Sequence, residues 1–357
     1  MSIPLVGQLD EARRFQLDLR PRAPVVRAAP PSSPDARPTA AVLLLSRSAD
    51  LELGALQHTL RQVGIPVVRL DADDLEALEL SVDLAAGTVR LGAALFRPTV
   101  TWIRHFGGEA LAGRHSAVRT HWRRESWSAL PRQLACVSAT LIGSSGPGAA
   151  EQLATATRLG IATPRTLITT CLADASALAG AKVVLKSLDR HFVESPPGIL
   201  NGIFADVRER ADLVRAGHRL DAPVLLQEYV EHDRELRVYH LAGELVAYQV
   251  DKRAPADPWR DTAGVRARLV EAPPAVRAAT LALAREWGLV YAAFDFLVRA
   301  QEPVFLEANP DGDWRWLESG AGPVTRAAVR MIRARHAPET TVDVVTFLAG
   351  GGGQHGR

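Results

Sequence analysis

Three oxygen-bearing side chains stand on two apolar segments near the C-terminus of the chain. Asp295 interrupts the apolar run 292–298, and Glu307 and Asn309 belong to the run 303–310. Side chains two apart on a strand point to the same face, so Glu307 and Asn309 aim together, and a hairpin would bring Asp295 beside them. Carboxylate and amide oxygens bind hard divalent cations such as Mg²⁺. These residues alone leave two interpretations open, a metal site or solvated acids on an edge strand.

Further candidate binding residues, nearly all of them polar, close or follow apolar strands earlier in the chain. In order, they are Lys186, Gln227, Glu228, Tyr229, Val230, Glu235, Arg237, Lys252, Arg253 and Arg260. An ammonium group at a strand end can reach a phosphate as a point charge. Backbone groups at 227–230 suit an adenine edge, the carboxylate of Glu235 suits ribose hydroxyls, and the cationic loop 252–260 suits a polyphosphate. Taken singly, each feature is also typical of a solvated surface, and only their order along the chain favours a nucleotide site.

The composition is that of an ordinary globular protein and argues against several classes of function. Of 357 residues, 47% are hydrophobic and 23% are charged, and the formal net charge is +2. A charge so near zero argues against a dedicated nucleic-acid surface, and no apolar run approaches the ~20 residues of a membrane span. The N-terminus lacks the pattern of a signal peptide, and Cys136 and Cys171 give no disulfide framework. We therefore expect a cytoplasmic protein with neither a nucleic-acid nor a membrane partner.

The first ordered part of the chain has the pattern of a β-α-β unit. The apolar run 41–45 predicts a buried strand, Asp50 is placed to cap a helix over 51–63, and 65–70 predicts the next strand. Such a unit implies a parallel sheet. The connecting segment 46–49 lacks the glycine-rich pattern of a dinucleotide site.

Other segments are predicted to lack regular structure. Residues 1–39 are rich in proline and are expected to be disordered, and 348–357 are expected to form a flexible tail. Residues 190–201, which include Pro196-Pro197-Gly198, predict a mobile covering loop. Residues 206–216 predict a helix.

The ordered set of polar residues resembles the ATP-grasp superfamily over roughly residues 142–332. Within it, the segment 307–318 is similar to the N-P-x-G-x-W-x-W-x-E block of the ligases that macrocyclise ribosomal peptides, the microviridin-type or graspetide synthetases. The segment 160–169 is similar to their G-L-x-x-P-x-T-L-I-T strand, and 258–260 to their D-W-R element, with proline in place of aspartate. The N-terminal unit with Thr101-Trp102-Ile103-Arg104 is similar to their leading domain.

This resemblance implies an α/β protein with α+β elements, built as an ATP-grasp fold with an N-terminal parallel-sheet pre-ATP-grasp domain. The implied boundaries are 40–140 for the leading domain, 141–225 for the central ATP-grasp subdomain and 226–347 for a C-terminal subdomain with the Mg²⁺ site.

The resemblance also implies a chemistry. Such enzymes use ATP to activate a side-chain carboxylate of a precursor peptide as an acyl phosphate, and a Ser, Thr or Lys side chain of the same peptide then closes an ester or amide ring. The implied cofactors are ATP and Mg²⁺, the implied partner is a precursor peptide with a leader sequence, and family members often pair as homodimers. Carried over to this chain, the catalytic residues are Arg237 and Arg260, the nucleotide-binding residues are Lys186, Gln227, Glu228, Tyr229, Val230, Glu235, Lys252, Arg253 and Asn309, and the metal ligands are Asp295, Glu307 and Asn309.

One position departs from the family pattern. The family carries a phosphate-binding Lys in the first turn of the helix before the 160–169 strand, and this position corresponds to Ala149. Either Arg158 or the basic loop 252–260 compensates for its absence, or ATP binding is weaker than in the family. Three functions therefore stay open: a peptide macrocyclase, another ATP-grasp carboxylate–amine ligase that adds an amino acid to a small acid or a protein, and a non-catalytic partner that binds ATP and peptide.

Overall fold

The computed structural model describes the chain over 15–18, 37–75, 78–111, 116–143, 146–189, 191–255, 257–260, 262–318 and 321–337. The strands in these ranges are β1 Phe15–Asp18, β2 Thr39–Ser46, β3 Val67–Asp71, β4 Leu80–Asp83, β5 Thr88–Leu91, β6 Ala94–Ile103, β7 Thr140–Ile142, β8 Thr166–Cys171, β9 Lys182–Ser187, β10 Phe192–Glu194, β11 Ile199–Gly202, β12 Asp206–Glu209, β13 Arg219–Glu228, β14 Arg234–Leu241, β15 Glu244–Asp251, β16 Arg266–Val270, β17 Tyr291–Arg299 and β18 Glu302–Asn309. The α-helices are α1 Leu51–Gln62, α2 Ala117–Leu134, α3 Ala149–Arg158, α4 Arg210–Ala216, α5 Asp257–Arg260, α6 Pro274–Glu286 and α7 Pro323–His336.

The sheet formed by the N-terminal part of the chain contains the predicted parallel unit. Its strands lie in the order β3-β2-β6-β5-β4, and β7 also pairs with β6. Strand β2 runs parallel to both β3 and β6. Helix α1 is capped by Asp50, whose carboxylate accepts a 2.9 Å hydrogen bond from the backbone N–H of Leu53. The predicted parallel β-α-β unit and the predicted helix cap are both confirmed, while β5 and β4 extend the same sheet with antiparallel pairing.

Two antiparallel sheets follow, with the strand orders β12-β9-β13-β8 and β16-β15-β14-β17-β18. Helices α3 and α6 pack on the second of these sheets over a core that includes Phe294, Phe296 and Phe305, all fully buried. Gln152 of α3 fastens strand β18, because its side-chain amide exchanges hydrogen bonds of 2.7 and 2.9 Å with the backbone of Ala308. Helix α7 packs in a core shared with the N-terminal sheet, so the N-terminal sheet and the five-stranded sheet are joined through buried apolar side chains.

The predicted hairpin of β17 and β18 is confirmed, and its register contains one irregularity. Near the turn Phe296 pairs with Phe305, whereas farther from the turn Asp295 pairs with Glu307. An uninterrupted ladder would pair Asp295 with Leu306, so Leu306 is the extra residue of a β-bulge. A bulge re-aims the side chains beside it. Here it places the two carboxylates directly opposite each other.

Three segments differ from their sequence-based predictions. The predicted covering loop 190–201 contains strands β10 and β11, which pair as a hairpin whose turn is the proline-rich segment. Residues 206–209 form β12 in place of the first turn of a helix, because their backbone pairs with β9. The prediction of disorder is wrong for Phe15–Asp18, which pairs antiparallel with β11.

Residues 1–14, 19–36 and 338–357 lie outside the described residues, and with them most of the predicted disordered segment and all of the predicted tail. The predicted domain boundaries stay predictions. In the part of the chain that the structure describes, no helix has the length and apolar character needed to cross a membrane.

Candidate active site

A row of charged side chains crosses three neighbouring strands of the five-stranded sheet. Arg237 on β14 pairs in register with Asp295 on β17, which pairs in turn with Glu307 on β18. Arg237 Nη1 lies 2.8 and 3.1 Å from the two carboxylate oxygens of Asp295. Asn309 donates from Nδ2 to Asp295 Oδ2 and to Glu307 Oε1, both at 3.2 Å. The structure therefore brings together the three predicted metal ligands and one predicted catalytic residue.

Two more cations approach Glu307. Lys186 Nζ lies 3.9 Å from Glu307 Oε2, and His191 Nε2 lies 3.9 Å from Glu307 Oε1. Burial by itself raises the pKa of Glu307, but the contacts with His191 and Lys186 outweigh burial and hold this pKa well below its usual range. The contact with Glu307 raises the pKa of His191 in turn. Glu307 is thus an ionised carboxylate at neutral pH.

The donor set suits a hard divalent cation. Burial raises the pKa of Asp295, Arg237 lowers it and Glu307 raises it, which leaves a pKa of about 6, so Asp295 is mostly ionised at pH 7. In the described ranges His, Cys, Asp and Glu side chains form no group of three or more with metal-ligand spacing. The candidate site instead combines two carboxylates with the amide of Asn309. Mg²⁺ prefers such oxygen ligands and is often held by one or two carboxylates together with substrate phosphates, so the residues fit this ion.

The predicted adenine segment lies at the end of β13. Gln227 is 3% exposed, and its amide donates to a threonine hydroxyl of β8 at 3.0 Å. The carboxylate of Glu228 accepts a 2.9 Å hydrogen bond from a backbone N–H, and the carbonyl of Val230 lies 2.8 Å from a histidine ring nitrogen. The ammonium of Lys182 lies 5.6 Å from the centroid of the Tyr229 ring. The side chains of Gln227 and Glu228 therefore bind within the protein, and adenine binding by this segment stays a prediction that concerns its backbone groups and Tyr229.

The predicted ribose and phosphate residues meet at the end of β15. Lys252 Nζ lies 2.5 Å from Glu235 Oε1. Lys252 and Arg253 also line a cavity of about 350 Å³. Arg266, a residue that the sequence analysis did not single out, lines the same cavity. The backbone of Arg260 ends helix α5. Its side chain lies outside the described residues, so its catalytic role stays a prediction.

Side chains that the sequence did not single out complete the surroundings of Arg237. Tyr239 Oη accepts a 3.1 Å hydrogen bond from Arg237 Nε and donates a 2.5 Å hydrogen bond to the carbonyl of Asp313. At Gly312, a Cβ would lie 2.5 Å from Ala293 Cβ and 3.0 Å from Arg237 Nη2, so a side chain there would clash. The spacing of two between Arg237 and Tyr239 could have predicted that they share a face. The contact with Asp313 depends on tertiary structure.

The segment 309–318, which carries the two tryptophans of the motif and is called the tryptophan block below, has a structural part and a part that faces the site. Trp314 is 1% exposed, and its indole N–H donates to Thr325 Oγ1 at 3.0 Å. Glu318 accepts hydrogen bonds of 2.9 and 3.0 Å from the first backbone N–H groups of α7, at Val324 and Thr325. The Trp316 ring lies 5.8 Å from the guanidinium of Arg237. The block therefore fixes the start of α7 and covers Arg237.

The position of the missing lysine lies at the start of helix α3, where Ala149 follows Gly148. Arg158 lies at the opposite end of this helix, about 13 Å along its axis, and its Nη2 is 2.7 Å from Glu286 Oε1. Arg158 therefore lies far from Ala149 and is paired with Glu286, which argues against its replacing the lysine. The basic loop that contains Lys252 and Arg253 is the remaining candidate.

Comparison with known proteins gives one curated relative at modest identity. No known family profile matches the chain. The chain is similar to the probable alpha-L-glutamate ligase 2 of Shewanella amazonensis, with 27% identity over 170 residues, a match that covers 45% of this chain and 54% of that protein. The match thus spans about half the length of this relative.

Solved structures match over most of the chain. The macrocyclase MdnC from Microcystis aeruginosa MRC, solved with its precursor peptide MdnA, has a TM-score of 0.66 and 19% identity, and the match covers 82% of this chain and 99% of MdnC. The ATP-grasp ligase PsnB, solved with a phosphomimetic variant of a minimal precursor, Mg and ADP, has a TM-score of 0.61 and 19% identity, with coverages of 83% and 100%. The chain therefore has the ATP-grasp fold, as its motifs predicted. Both of these neighbours were solved with a precursor peptide, in agreement with the resemblance seen in the motifs.

Proposed function

We propose that this chain is an ATP-dependent ligase that closes ester or amide rings within a ribosomally made precursor peptide. The observation that carries the proposal is the row of Arg237, Asp295 and Glu307, with Lys186 Nζ 3.9 Å from Glu307, set in an ATP-grasp fold. The similarity to MdnC and PsnB supports the choice of a peptide substrate with a leader sequence.

Two bond-forming steps define the reaction. A peptide carboxylate attacks the terminal phosphorus of ATP, which forms an acyl phosphate and releases ADP. A hydroxyl or amine of the same peptide then attacks the acyl carbon, loses its proton and displaces inorganic phosphate. Negative charge gathers on phosphate oxygens in both steps, so catalysis depends chiefly on positioning and electrostatic stabilisation.

The residues of the row supply these effects. Arg237 is permanently charged and largely buried, and it is placed to stabilise the acyl phosphate or to hold the substrate carboxylate. Lys186 and the basic loop hold the phosphates of ATP. Asp295, Glu307 and Asn309 would hold Mg²⁺, whose charge would neutralise phosphate oxygens. Asp295 can contact Arg237 and a metal together, because each of its oxygens carries two lone pairs.

The test is mass spectrometry of candidate peptides. The purified chain is incubated with Mg-ATP and with short peptides, rich in acidic and Ser, Thr or Lys residues, that are encoded beside its gene. We expect ADP release and a peptide mass lower by one water for each ring. Peptides of unchanged mass, under conditions where the chain binds Mg-ATP, would contradict the proposal. A non-hydrolysable ATP analogue is the control.

A second candidate is a ligase that joins an amino acid to a small acid or a protein, and the similarity to a probable glutamate ligase favours it. It predicts a gain of one residue mass in the acceptor. A third candidate is a non-catalytic partner that binds ATP and peptide, which the absence of a lysine at Ala149 favours. It predicts Mg-ATP binding without ADP release, so the same experiment separates the three.

We place the reaction in the cytoplasm, where ATP is present and thiols stay reduced. Cys136 and Cys171 are both free thiols. A homodimer is the assembly we propose, and sedimentation of the purified chain measures it.

A further inference from the structure

A buried carboxylate of helix α1 holds the backbone that lies beside the candidate site. Glu52 is 8% exposed. Its Oε1 accepts hydrogen bonds from the backbone N–H groups of Trp314, at 2.6 Å, and Arg315, at 2.5 Å. Its Oε2 accepts a 2.7 Å hydrogen bond from Arg104 Nη2. One side chain of the N-terminal part of the chain thus satisfies two consecutive backbone donors of the tryptophan block.

Arg104, which follows β6, makes a second set of contacts with the segment 313–315. Its side chain is fully buried and its guanidinium pairs with Glu52 and Asp313. The guanidinium also lies 4.6 Å from the centroid of the Trp314 ring and 3.8 Å from Asp50 Oδ1. A buried charge is costly unless its partners are held in good geometry. Within this ion cluster, the contacts of Arg104 with Asp313 and Trp314 therefore fix the segment 313–315 against the N-terminal sheet.

The fixed segment in turn holds the candidate catalytic side chain. The carbonyl of Asp313 accepts hydrogen bonds from Tyr239 Oη at 2.5 Å and from Arg237 Nη2 at 3.5 Å. Tyr239 Oη accepts from Arg237 Nε at 3.1 Å. Arg237 then contacts Asp295 at 2.8 Å. A continuous series of hydrogen bonds and one short backbone segment leads from Glu52 to the charged row.

We propose that Glu52 is a positioning residue of the active site, which fixes the segment 313–315 so that the Asp313 carbonyl holds Tyr239 and Arg237 in place. This inference rests on the proposed function and adds a residue of the leading domain to its machinery. Glu52 contacts none of the candidate substrate-binding groups. Small displacements of a group that acts on the transition state reduce rate more than ground-state binding. Loss of Glu52 should therefore lower kcat and leave the affinity for nucleotide unchanged.

The test compares two conservative variants of the same ion cluster. Glu52→Gln keeps the size of the side chain but removes its negative charge, and its new N–H₂ group has to face either Arg104 or the two backbone N–H groups, which are all donors. Asp50→Asn is the matched control, because Asp50 also faces Arg104 but makes no contact with the segment 313–315. We expect both variants to lower the melting temperature, and Glu52→Gln alone to lower kcat for ADP release from Mg-ATP about tenfold. The Mg-ADP dissociation constant, measured by calorimetry, should change less than about twofold in both.

An unchanged kcat in Glu52→Gln, or an equal loss in Asp50→Asn, would overturn the inference and leave Glu52 a purely structural residue. If Glu52→Gln does not fold, Tyr239→Phe tests the same series of contacts, which runs from Glu52 through the segment 313–315 and Tyr239 to Arg237 and is called the relay below. It removes only the hydroxyl that links Asp313 to Arg237, and we expect a similar loss of kcat. In the double variant the two losses should not multiply, because both act through Arg237. A normal rate in Tyr239→Phe, or losses that multiply, would refute the relay.

The wild-type chain separates this inference from the proposed function. If it does not release ADP from Mg-ATP with the candidate peptides present, the proposed function fails, whether or not it binds Mg-ADP. If wild type binds Mg-ADP and releases ADP, and the Glu52 and Tyr239 variants match it, only the positioning role fails.

Discussion

Arg237 donates from Nη1 to both carboxylate oxygens of Asp295, so a candidate catalytic cation is paired with a candidate metal ligand. Each side chain is only 13% exposed. Charges interact more strongly where water is largely excluded. Burial raises the pKa of Asp295, whereas Arg237 lowers it and thereby favours the charged form of this candidate metal ligand.

The first prediction concerns the geometry of this pair. Arg237→Lys keeps the positive charge but loses the planar fork that contacts Asp295 and Tyr239, so kcat/KM should fall about a hundredfold. Steady-state ADP release checks this, and circular dichroism confirms the fold. Arg234→Lys on the same strand, whose Nη2 contacts Gln301 at 3.1 Å, is the control and should keep its rate. If Arg237→Lys keeps a rate close to that of wild type, the proposed catalytic role of Arg237 is wrong.

The second prediction concerns the metal ligands. Asp295→Asn and Glu307→Gln each remove one anionic ligand of the proposed Mg²⁺ site, and each should lower ADP release by at least about a hundredfold while the fold is kept. Calorimetry with Mg-ADP and with ADP alone shows whether the loss lies in the metal-dependent binding. Glu302→Gln, an exposed residue on strand β18, is the control. Full turnover in both site variants would mean that the metal assignment is wrong.

The third prediction concerns the tryptophan block. Trp314 is 1% exposed and donates to Thr325, so Trp314→Phe leaves a cavity and removes one hydrogen bond, and it should cost about 2 kcal/mol of unfolding free energy. Trp122→Phe makes the same change at a side chain that is 64% exposed, and it should stay within about 0.5 kcal/mol of wild type. Urea unfolding measures both. Equal effects would contradict a structural role for Trp314.

The fourth prediction concerns pH and His105. Burial lowers the pKa of His105, but Asp313, 2.9 Å from its Nε2, outweighs burial and raises the pKa from 6.5 to about 9. Because the pKa is higher in the folded state, the protonated histidine stabilises the fold. This stabilisation is fully present below pH 6.5 and is lost as the pH rises through 9. The side chain is 35% exposed. Solvent screening therefore limits the contribution of the protonated histidine to the unfolding free energy to about 1 kcal/mol.

Unfolding free energies between pH 6.5 and 9 check this prediction. The decrease over this range should be smaller in His105→Gln than in wild type. His58→Gln, an exposed histidine on α1, should behave as wild type. If the His105→Gln and wild-type curves are parallel, the pair with Asp313 contributes no pH-dependent stability.

Local sequence patterns were sufficient to predict a strand or helix where that element depends mainly on its own residues. The apolar run 41–45, the cap at Asp50 and the two apolar runs around Asp295 and Glu307 each became the expected strand or helix. The predictions that failed lie where strand pairing overrides local preference. Residues 206–209 extend along β9 although the sequence suits a helix, and the proline-rich segment 190–201 folds back as a hairpin, whose strand β11 also pairs with the distant β1.

By itself, the sequence determined which residue types meet on strands β14, β17 and β18, because alternation and turn signals are encoded locally. Only the tertiary structure decided how they face one another. The bulge at Leu306 brings Glu307 opposite Asp295, and strand register depends on the paired partner as well as on local pattern. The contact of Glu52 with Trp314 likewise joins residues far apart in the chain, which only the packing of the N-terminal sheet against the ATP-grasp sheet brings within hydrogen-bonding distance.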